Sequence, residues 1–371
     1  MNKKVLQLTH PVSGNYGGLL QCYALQQALF SIGIDVTCYR YSVGVRNSRL
    51  GRIRQSLASL VKWLILYLGV KHFFTNVPAS IARTIGEKFS RKHILSNSRP
   101  IGDNLAYVVG SDQVWRLLYS RAIKSPDFFF LSFASSEQRR KSIAYAASYG
   151  TDEWEGSPEE TEICRRCLRE FKAVSVREHS GVQICRDVFN VTAVQMPDPT
   201  LLLPSCLYDS IIENESTVPP ANRSLAVYIL DDTSEQKTCL RAVSEEMGLI
   251  LLQLMPNITS RKRRLRFPMS VPQWLRYIRE CDYLVTDSFH GCVFSIIFNK
   301  PFVCLGNEAR GRARFDTLFG TFGLRSRLLI QPTPEDICRV LKTPIDWELV
   351  NRIHESERKR GIDFLTKNLA T

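Results

Sequence analysis

Between Val36 and Gly86 the sequence contains no acidic residue, although eight lysines and arginines fall there. A segment so one-sided in charge suits an anionic partner. The chain also lacks a long apolar run: the best candidate, around Leu57 to Leu68, is interrupted by Lys62, and a bilayer-spanning helix needs about 20 apolar residues. The opening "MNKKVLQLTHPVSGNYGG" is basic but has no extended apolar core, so no secretory signal is expected. There is no internal repeat and no low-complexity tract. A soluble globular protein is left.

Cysteine pairing is missing too. The eleven cysteines are odd in number, scattered and mostly set in apolar runs, as expected of reduced thiols in a reducing compartment, so a cytoplasmic location is expected. "CRRC" at Cys164 to Cys167 has no second pair at zinc-ligand spacing. Two packed helical thiols are the simpler account, and no metal is expected.

What is present is a chain of 371 residues, 44% hydrophobic and 23% charged, with a formal net charge of +13. That length exceeds what one core usually organises, so two domains are expected. Phosphorylated substrates, nucleic acid and acidic lipid headgroups all suit the charge. No nucleic-acid motif and no basic, aromatic-studded strand pair occurs, so nucleic acid is not expected.

The first unit reads as strand "KVLQL", loop "SGNYGG", apolar helix "LLQCYALQQALFSIG" and strand "DVTCYRY", a pattern of parallel α/β sheets. Further buried strands are expected at "AYVVG" (106–110), "KSIAYAAS" (141–148) and "KAVSVR" (172–177). A polar, proline-containing stretch over 211–222 has linker composition. A second α/β unit follows, with strands "LAVYIL", "LILLQLM", "DYLVTDS" and "PFVCLG" alternating with helices. The division expected is a first domain over 1–210, a second over 223–346 and a charged helix over 347–371 that packs back on the first.

Two such units in series place a ligand cleft between the carboxyl ends of two sheets. Four polar clusters fall after an expected strand and before a helix: "SGNYGG" (13–18), "GSDQVW" (110–115), "REHSG" (177–181) and "SFHG" (288–291). His290 lies where free backbone N–H groups favour an anion. A lone histidine can also be a core residue bonded to a carbonyl, but Asp287 and Ser288 before it and Gly291 after it favour a ligand. Arg177 leaves its strand at the same edge, free to grip a carboxylate or phosphate, or else to pair with Glu178. Asn15, Tyr16 and Gly17 belong to a glycine-rich turn matching neither GxxxxGK[ST] nor GxGxxG. Its glycines serve either close ligand approach or a sharp turn. Asp112 and Gln113 offer hydrogen bonds to sugar hydroxyls beside Trp115, or an N-cap.

Within the acid-free stretch, Leu50, Ile53, Leu57, Leu60, Val61, Leu64, Ile65 and Leu68 keep helical spacing. A basic amphipathic helix of this kind lies on an anionic membrane surface or packs on its own domain. "RKRRLR" (261–266) reads as a solvated loop able to reach a phosphate.

These clusters in this order resemble the polysaccharide pyruvyl transferase family, through "GNYGGLLQCYALQQAL", "YVVGSDQVW", "IAYAASYG", "AVSVREHSGV", "PDPTLLL" and "VTDSFHGCVFSIIFNKPFVCLGN". The resemblance implies two Rossmann-like domains facing a cleft, a glycosyltransferase-B-like α/β fold. It also implies transfer of the enolpyruvyl group of phosphoenolpyruvate onto a sugar, closing a cyclic ketal and releasing phosphate. No cofactor is implied beyond phosphoenolpyruvate as co-substrate. Catalytic roles map onto His290 and Arg177, donor contacts onto Arg177, Ser288, His290, Gly291 and Arg314, and acceptor contacts onto Asn15, Tyr16, Gly17, Asp112 and Gln113. Some family members carry an arginine where Ser288 stands. One donor charge contact must then come from Arg314, Arg312 or the 261–266 cluster. The acceptor implied is a glycan precursor, carried on a polyprenyl diphosphate at the inner face of the plasma membrane. The rival expectation is a glycosyltransferase using a nucleotide sugar, because such architectures host many of them.

Overall fold

A computed structural model describes residues 4–10, 15–39, 77–97, 106–123, 125–230, 233–255, 269–306 and 311–370. The amphipathic pattern at 50–68, the 261–266 cluster and residues 13 and 14 of the first loop lie outside the described residues.

Two parallel sheets organise the chain. The first holds β1 (Lys4–Leu8), β2 (Asp35–Tyr39), β3 (Ser96–Asn97), β4 (Ala106–Val109), β5 (Ile143–Ala147), β6 (Ala173–Val176) and β7 (Val194–Gln195), in the order 3-2-1-4-5-6-7. Its central strands β4 and β5 are buried at every position, which is why they read as unbroken apolar runs. The second holds β8 (Ser224–Tyr228), β9 (Ile250–Gln253), β10 (Tyr283–Thr286), β11 (Phe302–Gly306) and β12 (Leu328–Ile330), in the order 12-11-10-8-9. Strand order reverses between β1 and β4 in the first sheet and between β10 and β8 in the second. Such switch points leave a crevice at the carboxyl edge, where ligands bind.

The helix Tyr16–Ser31 holds the units together. Asn15 caps it, its side chain accepting from the Gly17 N–H at 3.1 Å. Buried residues occur all round this helix, because one side covers the first sheet and another enters a core shared with Trp274, Leu275 and Phe294 of the second unit. The Tyr16 hydroxyl crosses the seam to donate to the Met269 carbonyl at 2.7 Å.

Between the sheets runs a 3-10 turn at Pro199–Leu202, then the helix Ser205–Glu213. Tyr208 of that helix packs edge-on to Phe294, so the helix belongs with the second unit although it starts within the expected first domain and runs into the expected linker. The C-terminal helix Trp347–Leu365 returns to the first unit. There Arg360 donates to the Gln195 carbonyl at 2.7 Å, and Leu365 and Leu369 enter the first unit's core.

Candidate active site

The clusters at 15–18, 110–113, 177–178 and 288–291 meet at the seam, and Asp198 stands between them. Arg177 leaves the end of β6 with a guanidinium only 3% exposed. Its Nη1 donates to Asp198 Oδ2 at 2.9 Å, its Nε lies 3.5 Å from Glu178 Oε1, and its plane covers the Phe289 ring at 4.6 Å. Nε and Nη2 have no hydrogen-bond partner among the described residues. Arg177 thus pairs with Glu178, as one of its two readings expected, and keeps two nitrogens without a hydrogen-bond partner among the described residues. Glu178 is itself fixed by the Ser148 hydroxyl, which donates to it.

Asp198 caps the 3-10 turn, its Oδ1 accepting from the Thr200 N–H at 3.0 Å and the Thr200 hydroxyl at 2.7 Å. Burial alone would raise its pKa. The charge of the nearby His290, then Arg177 and the Thr200 N–H, outweigh burial and hold the carboxyl well below the usual range.

His290 is the second residue of the helix Phe289–Ile297, capped by Ser288, whose hydroxyl accepts from the Gly291 N–H at 3.4 Å. Its Nε2 points at Asp198 Oδ2 from 3.6 Å, beyond direct hydrogen bonding, and has no partner among the described residues. Its other edge rests on Gly17. A Cβ there would stand 2.0 Å from Nδ1, so only glycine lets the imidazole lie across the seam. Gly291 is required similarly, since a Cβ would meet Thr286 Oγ1 at 2.4 Å.

Asp112 follows β4 in a left-handed conformation, φ 70°, with Oδ1 accepting from the Gln113 N–H at 2.9 Å. Burial pushes its carboxyl up, but His10, Arg177 and His290 together pull it down, so it stays ionised. Arg314 is half-buried over the rings of Phe289 and Phe315, and no carboxylate of the described residues lies within ion-pair distance. Lost hydration, then the neighbouring Arg177 charge, lowers its pKa to about 10. Arg312 is exposed and pairs with Asp316 at 3.4 Å, away from this cluster.

Of the residues expected to contact an acceptor, Asn15 and Tyr16 are occupied by the cap and seam bonds already described. Gln113 is half-buried, with Oε1 3.4 Å from Arg116 Nη1. Cys164 and Cys167 are buried thiols whose acidity burial suppresses. Among the described residues no group of three or more His, Cys, Asp or Glu side chains is arranged to hold a metal ion. Sequence reasoning assigned no role to Asp198, Phe289 or His10. The "PDPT" motif that holds Asp198 was visible, but nothing local indicates that its carboxylate faces Arg177.

Two parallel-sheet units with polar side chains gathered between their carboxyl edges define a glycosyltransferase-B-like fold. The glycotransferase of kitacinnamycin has this fold, with a TM-score of 0.51 at 11% identity over 99% of both chains. A spinosyn rhamnosyltransferase aligns over 100% of both chains at 14% identity with a TM-score of 0.47. No curated protein matches the sequence. The profile of the polysaccharide pyruvyl transferase family matches residues 15–309, and the chain belongs to that family.

Proposed function

We propose that the protein moves the enolpyruvyl group of phosphoenolpyruvate onto a sugar of a glycan precursor and closes it into a cyclic ketal, releasing phosphate. One observation carries this reading: Arg177 and His290, from opposite units around one carboxylate, hold nitrogens that have no hydrogen-bond partner among the described residues. Buried donors left unpaired are costly unless a ligand completes them. An anionic donor with a carboxylate and a phosphate would do so, and Arg314 adds a positive charge with no carboxylate partner among the described residues.

The chemistry fits these groups. A sugar hydroxyl attacks C2 of the donor while a proton is delivered to the methylene carbon, and His290 with Asp198 behind it is placed to deliver it. Arg177 and Arg314 stabilise charge on the departing phosphate. A second hydroxyl then captures the same carbon. We further propose that the acceptor is lipid-linked and that the enzyme works against an anionic membrane surface, as the acid-free basic stretch suggests. No helix among the described residues is long and apolar enough to cross a membrane.

The test is phosphate release from phosphoenolpyruvate across a panel of acceptor glycosides, with mass spectrometry of products. Phosphoenolpyruvate should also raise the melting temperature, and uridine or cytidine sugar nucleotides should not. Protection by a sugar nucleotide alone, with no ketal product, would favour glycosyl transfer.

A further inference from the structure

His10 follows β1 by two residues, beside the point where β1 and β4 part. Its surroundings are rigid. Thr9 Oγ1 donates to the Ser111 carbonyl at 3.1 Å, Gln21 Nε2 donates to Thr9 Oγ1 at 3.0 Å, and Gln21 Oε1 accepts from the Ser111 N–H at 3.1 Å. The imidazole plane is set by edge contacts with Tyr119 at 6.0 Å and Phe129 at 5.2 Å.

His10 Nε2 lies 2.8 Å from the Gln113 carbonyl oxygen. A carbonyl only accepts, so Nε2 carries the hydrogen, and the neutral ring keeps its lone pair on Nδ1. That nitrogen is buried and has no hydrogen-bond partner among the described residues. A base with one nitrogen anchored and the other bare is poised to take a proton. Gln113, which anchors the ring, donates its own N–H to Asp112 Oδ1 at 2.9 Å, and the Asp112 carboxyl interacts electrostatically with His10, Arg177 and His290. Tyr119 carries the Arg116 guanidinium over its ring at 5.1 Å.

We propose that His10 is the acceptor-side base, taking the proton of the attacking sugar hydroxyl on Nδ1. This rests on the transfer reaction proposed above. As the hydroxyl oxygen bonds to C2, its proton passes to His10 and the protonated His290 gives one to the methylene carbon, which becomes the methyl group. The C2–O bond to phosphate then breaks with its electron pair on phosphate. The second hydroxyl closes the ketal and returns its proton to His290, while His10 releases its own to the departing phosphate. Both histidines end as they began. Asp112, held ionised, stabilises the imidazolium that His10 becomes midway. Asp198 lies 3.6 Å from His290 Nε2, and Asp112 interacts electrostatically with His10.

His10→Gln tests this, since a glutamine amide can still donate to the Gln113 carbonyl but its oxygen takes no proton at working pH. Phosphate release should fall roughly 10² to 10⁴-fold, the usual worth of a positioned base. Thermal protection by phosphoenolpyruvate should persist, and the acid limb of the kcat/KM profile for the acceptor should vanish from the residual activity. A variant turning over within a few-fold of wild type, or keeping that limb, would overturn the assignment while leaving pyruvyl transfer standing. Wild-type protein inert toward phosphoenolpyruvate with every acceptor would overturn the transfer reading and this one with it. Should the variant not fold, ¹⁵N-histidine spectra of the wild type decide: a hydrogen on His10 Nδ1 rather than Nε2 at neutral pH rules out the base.

Discussion

Arg177 combines three duties that a single cation rarely carries. One N–H holds Asp198, the planar face covers Phe289, and two further nitrogens have no hydrogen-bond partner among the described residues. Lysine in its place would keep the charge and satisfy Asp198, but no fork would be left for the donor. Arg177→Lys should therefore raise the KM for phosphoenolpyruvate about ten- to a hundred-fold, the worth of one charge-assisted hydrogen bond. The acceptor constant should barely move. Steady-state kinetics with each substrate varied in turn checks this, and a change confined to the acceptor would remove Arg177 from the donor. Arg177 was legible in the sequence because it directly follows the buried strand β6, and His290 because it opens the helix that follows the buried strand β10, which fixes the edge at which each emerges. Asp198 was not. It sits between two prolines in a segment without strand or helix periodicity, and its meaning depends on an arginine placed by another element. His10 was hidden similarly, since its unpaired nitrogen follows from a carbonyl contributed by the loop after β4.

At the scale of elements, the central strands and their following helices were legible because strands buried on both faces read as apolar runs and capped helices declare their starts. The edge strands β3, β7 and β12 were not, since two or three residues cannot display a period. The terminal helix Trp347–Leu365 was legible as a helix, but the closeness of its packing was not. Gly361 sits where a Cβ would come within 2.4 Å of Leu202 Cδ2 and 2.5 Å of the Tyr145 hydroxyl. That hydroxyl donates to the Pro197 carbonyl at 3.2 Å, one residue before Asp198. Overpacking there should therefore loosen the segment that carries the central carboxylate. Gly361→Val is expected to cost about 1–3 kcal/mol of stability and to lower turnover without touching substrate. Denaturant melts at fixed slope measure the first and single-turnover rates the second. An unchanged midpoint would mean that the helix can stand off the sheet at no cost.

Only at the scale of the whole molecule does the site exist, because Gly17 and His290 come from the two different units and touch across the seam. The same scale governs where the enzyme works. A net charge of +13 is not spread evenly: the stretch from Val36 to Gly86 holds eight basic residues and no acidic one. Most of it lies outside the described residues, so the expectation rests on sequence alone. Each basic residue near an anionic surface contributes on the order of 1 kcal/mol, enough for several together to give reversible binding. Exposed charges are screened beyond a Debye length of about 10 Å at 0.1 M salt, so that binding should be salt-sensitive. Co-sedimentation with vesicles should rise with the fraction of anionic lipid and fall as salt is added. It should also weaken when Arg49, Arg52 and Arg54 are changed together to Gln, with soluble-acceptor turnover unaffected. If the protein ignores anionic vesicles even at low salt, the apolar positions from Leu50 to Leu68 serve packing alone. The proposal of a lipid-linked acceptor would then lose the one feature of this chain that supports it.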